Sequence, residues 1–163
     1  EQFAAANTKL DQLRNALRSR QPATFTFKAD ELNALIARHP DFVPRKGQMR
    51  FAIADSVATV DLSVPLRSLQ FSGTKHRWLN GRASFGFVYA QEGFALDARS
   101  LEANGHQISP WLVSWTARLL NRSVAAAFER AVKSGGDQRP GFWDNVKTMT
   151  LDGDQLVVIT RGE

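Results

Sequence analysis

The chain has 163 residues, 43% of them hydrophobic and 23% charged, a formal net charge of +5 and no cysteine. That length suits one globular domain, no run approaches the roughly 20 apolar residues that span a bilayer, and disulfides and thiolate metal sites are excluded. The 21 basic residues, 15 of them arginine, are spread along the chain, which reads as an ordinary basic surface more than as a stripe built for phosphate.

The chain opens at Glu1 and not at methionine, so a removed leader or anchor, or a longer parent chain, is expected before it. Phe3, Ala6, Leu10, Leu13 and Leu17 recur at spacings of three and four, which predicts a helix with a narrow apolar seam. Residues 1–20 are therefore expected as a seam helix, and residues 21–163 as one sheet-and-helix domain. Thr24 to Phe27 reads as a short strand. Asp30 is the expected N-cap of a short helix whose face is Leu32, Leu35 and Ile36, ended by Pro40.

From Met49 the apolar period becomes two. Met49, Phe51 and Ile53 alternate with polar or small residues, Ala54-Asp55-Ser56 turns, and Ala58, Val60, Leu62, Val64 and Leu66 return on one face. "KHRWLNGR", residues 75–82, is the densest basic cluster and is expected as an exposed loop, with Asn80-Gly81 as a turn before the next strand. Ala83, Phe85, Phe87 and Tyr89 then alternate, and Phe94, Leu96 and Ala98 come back after another turn. Gly86 inside the strand points to a bend or to close approach of another group.

Ser109 as N-cap and Pro110 at the first helical position open a long helix that runs to about Lys133. Its core stripe is Val113, Leu120, Val124, Ala127, Phe128 and Ala131. Trp111, Trp115, Arg118 and Arg122 share a different arc. Asp152-Gly153 centres a closing hairpin, and Leu156 to Ile159 is apolar on both faces, which puts that strand inside the sheet. The elements sum to an α+β fold: a strongly curved antiparallel β-sheet wrapped around one long helix in the C-terminal half, with an additional N-terminal helix.

Enzyme signatures are missing. There is no phosphate-binding glycine loop, dinucleotide fingerprint or nucleophile elbow. His39, His76 and His106 stand apart without metal-ligand spacing, and the carboxylates fall mostly in turns. No catalytic residue, metal or cofactor is expected. An apolar pocket is expected against Phe85, Phe87, Tyr89, Phe94, Leu120 and Phe128. Arg77, Trp78, Arg82, Trp111, Trp115, Arg118 and Arg122 are the candidates for headgroup or membrane contact, because tryptophan beside arginine suits a lipid interface. The alternative for Trp111 and Trp115 is packing under the N-terminal helix. Basic and aromatic residues together also suit single-stranded nucleic acid, but one such cluster without a nucleic-acid-binding motif is weak support.

"FTFKADELNALI", "RWLNGRASFGF…EGFALDARSLEANGHQISPWL" and "VKTMTLDGDQLVV", in that order, resemble bacterial envelope proteins of the YpmS-like family. More remotely they resemble tubular lipid-binding (TULIP-type) domains, in which a curved sheet wraps a long helix around an apolar tunnel. The resemblance spans roughly residues 24 to 160 and brings no catalytic motif. It implies an extracytoplasmic or periplasmic domain, membrane-tethered through a segment outside this chain, that binds lipid or contacts the membrane surface. The competing expectation is a structural or protein-interaction domain with a packed core and no ligand.

Overall fold

The computed structural model describes residues 2–39, 47–65, 78–90, 93–111, 113 and 145–162. They form an α+β fold with two helices and an antiparallel eight-stranded sheet. Helix α1 is Gln2–Ser19. Strand β1 (Thr24–Lys28) runs directly into helix α2 (Ala29–Arg38). Strands β2 (Met49–Ala54) and β3 (Val57–Pro65) form one hairpin, and β4 (Trp78–Ala90) and β5 (Gly93–Ala103) a longer one. A two-residue strand β6 (His106–Gln107) follows, and β7 (Val146–Asp152) and β8 (Gln155–Thr160) close the chain.

The seam of α1 behaves as its spacing predicts. Ala6, Leu13 and Leu17 are buried, and they join Phe27, Leu35, Val146 and Val158 in the main core cluster. Helix α2 buries Leu35, with Leu32 packed beside it. Its start differs from the expectation: Lys28, not Asp30, is the N-cap, and Glu31 Oε2 accepts a hydrogen bond from the Lys28 backbone N–H at 2.9 Å. The strand leaves no spacer before the helix, so the acceptor that fits is three residues beyond the cap.

The sheet order is β1-β8-β7-β4-β3-β2, with β5 also on β4 and β6 on β5. As its two apolar faces predict, β8 lies inside, between β1 and β7. Strand β4 is the spine. Strand β5 follows it from Gly81 to Ala90 and so occupies one whole edge. The other edge is shared: β3 pairs with residues 78–85, and β7 with Val88 and Tyr89. The two outer hairpins therefore meet tip to tip along β4. Their turns are joined by Ser56 N–H to Gly153 O (2.9 Å) and Gly153 N–H to Ser56 Oγ (3.0 Å).

Two Asn-Gly pairs lie side by side here and behave differently. Asn104-Gly105, with φ of +50° and +80°, is the hairpin turn into β6. Asn80-Gly81, expected as a turn, is inside β4. Gly81 is needed there because a Cβ would sit 3.1 Å from Glu102 O. Asn80 N–H donates to Asn104 Oδ1, and Asn104 N–H donates to Asn80 O. The segment from Trp78 to Arg82, expected as exposed loop, is strand because β3 pairs it throughout and β5 pairs Gly81 and Arg82 on the other side. The irregularity expected at Gly86 is a register shift between Ser84 and Phe85; a Cβ on Gly86 would meet Asp97 at 3.8 Å and Ser56 O at 4.0 Å, both ordinary contact.

Of the expected long helix, only the opening belongs to the described residues. Pro110, Trp111 and Val113 are helical, Val113 N–H donates to Ser109 O at 3.0 Å, and Val113 is buried. The rest of the expected helix, around which the sheet was expected to wrap, lies outside the described residues. Among those residues no helix is long and apolar enough to cross a membrane.

Candidate apolar cavity

Helix α2 connects the two terminal strands of the sheet path, β1 and β2, and packs against both. Its Asn33 clips the outer edge of β2: Nδ2 donates to Phe51 O at 2.7 Å, and Phe51 N–H donates to Oδ1 at 2.8 Å. The amide thus stands where a further strand would have paired. On the other side, Lys9 of α1 donates to Thr26 O of β1 at 3.1 Å and pairs with Glu31 at 2.6 Å. Both helices are held over the same face of the sheet by these polar clips.

Between helices and sheet lies a cavity of about 400 Å³. Leu10, Leu13 and Leu17 of α1 line it with Leu32, Leu35 and Ile36 of α2. The strands contribute Phe27, Met49, Phe51, Ile53, Ala58, Phe87, Val146, Met149, Leu151, Leu156 and Val158. Among the described residues every lining side chain is a hydrocarbon or thioether, and none can exchange a proton or carry charge. Such a lining offers water no hydrogen-bond partner and favours apolar groups. Its chemistry is to exclude water from whatever enters.

Of the expected pocket residues, Phe87 lines this cavity. Phe85 packs against the neighbouring cluster of Ile53, Ala58 and Leu151, and Tyr89 against the main cluster. Phe94 pairs with Tyr89 and stacks on Phe87 at a centroid distance of 5.7 Å. The aromatic face is thus one wall beside the cavity and not its centre. Leu120 and Phe128 lie outside the described residues, as do Arg77, Trp115, Arg118 and Arg122.

The other headgroup candidates are Trp78, Arg82 and Trp111. Arg82 is engaged across the strands with Asp61, Nε to Oδ1 at 2.6 Å and Nη2 to Oδ2 at 3.3 Å. This hydrogen bonding holds the Asp61 carboxyl below its ordinary range and raises the Arg82 guanidinium. Arg50, Asp61, Arg82 and Glu102 face one another in register on β2, β3, β4 and β5, a row of alternating charge on the outer face. Trp78 and Trp111 are 54% and 71% exposed, so Trp111 is not roofed by α1. Among the described residues no three metal-ligating side chains cluster.

The residues that line most of the cavity were read in sequence as the buried stripes of separate elements. Each stripe was legible, but nothing in one stripe says that it stops short of the next. Compared with family models, with curated protein sequences and with solved structures, the chain matches none.

Proposed function

We propose that this domain is a non-enzymatic binder of an apolar ligand, an acyl chain or comparable hydrocarbon, held between the two helices and the sheet. The observation that carries the reading is the cavity: its volume of about 400 Å³ and its wholly apolar lining match the size and chemistry of small-ligand pockets. Atoms lining an empty space have no dispersion partner on that side, and a hydrocarbon restores those contacts without asking for a hydrogen bond. In this reading the long helix expected over residues 110–133 lies along the concave side of a curved sheet, in the manner of the resemblance to tubular lipid-binding domains. The domain works outside the cytoplasm, tethered to a membrane. The exposed rings of Trp78 and Trp111 support contact with a membrane surface, where tryptophan is favoured.

Native mass spectrometry with organic extraction of the purified protein, followed by titration with N-phenyl-1-naphthylamine, tests this. Bound hydrocarbon or saturable probe fluorescence is expected. Ala58→Phe, which places a ring into the cavity from β3, should abolish probe binding while melting stays cooperative. A clean apoprotein that takes up no probe would overturn the reading and favour a packed protein-interaction domain.

A further inference from the structure

We propose that a notch at the end of the sheet, on the face away from the apolar cavity, is a binding site for an oxyanion, a phosphate or carboxylate group. The notch exists because β4 ends at Ala90, where it turns into β5, while β7 and β8 run on. Strand β4 pairs with β7 only at Val88–Thr150 and Tyr89–Met149, whereas the β7–β8 ladder continues to Val146–Thr160 and Arg161 N–H reaches Asn145 O at 2.7 Å. Beyond Ala90 no strand of the described residues lies beside the edge of β7, and the space there measures about 850 Å³.

Among the described residues two cations line it, Lys147 and Arg161, with Thr24 and Thr148, and no carboxylate does. Residues 147 and 148 are consecutive and would normally point to opposite faces. The register shift between Val146 and Thr148 lets both border the notch. Neither cation is ion-paired to a described carboxylate. Arg161 Nε is buried with no hydrogen-bond partner, an arrangement that native proteins rarely leave uncompensated. An oxyanion supplies the missing acceptor once the guanidinium turns toward it, through the paired N–H fork that suits phosphate and carboxylate. Ala90, Pro22, Ala23 and Ile159 give the rest of the wall an apolar character that fits the body of an organic anion. Alternation along β8 puts Ile159 on this side and Val158 in the cavity, so the site is independent of the apolar reading.

The test follows backbone amides of the isotope-labelled chain by NMR during titration with inorganic phosphate and with acetate, and co-sedimentation with phosphatidylglycerol vesicles. Saturable shifts at Lys147, Thr148 and Arg161, weakened tenfold or more by Arg161→Gln and unchanged by Lys28→Gln, are expected for a free anion. Sedimentation that depends on Arg161 without shifts from free phosphate or acetate identifies a lipid headgroup as the source. Should Arg161→Gln unfold, Lys147→Gln at an exposed position makes the same comparison. Absence of both responses, or equal weakening by Lys28→Gln, overturns the proposal.

Discussion

Glu31 joins two elements through one carboxylate. Its Oε1 takes Lys9 Nζ at 2.6 Å and its Oε2 takes the Lys28 N–H at 2.9 Å, with the side chain only 15% exposed. Burial pushes the carboxyl up, but the hydrogen bonds from Lys9 and the Lys28 amide outweigh it and leave it below the ordinary value of 4.5. A folded-state value below the unfolded one contributes stability that is present above the ordinary range and lost as pH falls through the folded value. Glu31→Gln should therefore cost about 1–2 kcal/mol at pH 7, and its stability should converge on that of the wild type in acid. Urea unfolding between pH 7 and 3 measures this, and parallel curves would contradict it. Arg20 is a second residue with a clear consequence. It ends α1 at φ +53°, with Gln21 N–H on Ala16 O at 3.0 Å, and it is exposed. The left-handed conformation costs a side-chain-bearing residue roughly 1–2 kcal/mol, more than the extra unfolded-chain entropy of glycine. Arg20→Gly should stabilise by about 0.5–1 kcal/mol, read as a rise in Tm.

At the scale of elements, the sheet's terminal strands are what the helices guard. An exposed edge presents unpaired backbone groups that recruit other chains. Asn33 occupies both groups of Phe51, and Lys9 occupies Thr26 O. Asn33→Ala should destabilise by about 1–3 kcal/mol, two hydrogen bonds' worth, and should speed hydrogen exchange at the Phe51 amide. Unaltered exchange there would mean that the clip is incidental. The elements themselves were mostly legible: α1, β1, α2, the three hairpins β2–β3, β4–β5 and β7–β8, and the interior place of β8 follow from periodicity and turn signals. The mistakes fall where pairing overrides a local signal. Asn80-Gly81 has the composition of a turn, yet it is strand because Gly81 admits Glu102 O and Asn104 caps Asn80. Asn104-Gly105, the dipeptide that does turn, carries the same signal and was not read.

For the molecule as a whole, the decisive feature is that two hairpins share one edge of β4 and meet at Ser56 and Gly153. With α2 bridging the far strands, the two helices and the sheet border the cavity from opposite sides. Occupancy then couples to global stability. A hydrocarbon ligand at a hundredfold excess over its Kd should add about 2.7 kcal/mol, which for a chain of this size is a Tm rise of roughly 5–10 °C. Ala58→Phe should remove that increment while keeping a cooperative melt. Differential scanning calorimetry with and without the ligand decides it, and an equal rise in both proteins would place binding elsewhere.

Periodicity alone determined which residues turn inward, since burial follows the 3.6 and 2.0 repeats of helix and strand. It therefore fixed the α+β class, the seam of α1 and the interior place of β8 in the sheet. Only the tertiary structure decided that Arg82 answers Asp61, that Phe87 reaches the cavity while Phe94 stacks behind it, and that β4 stops short of β7. Those outcomes depend on register and on strand lengths relative to one another, and one strand's sequence carries no information about where its neighbour ends.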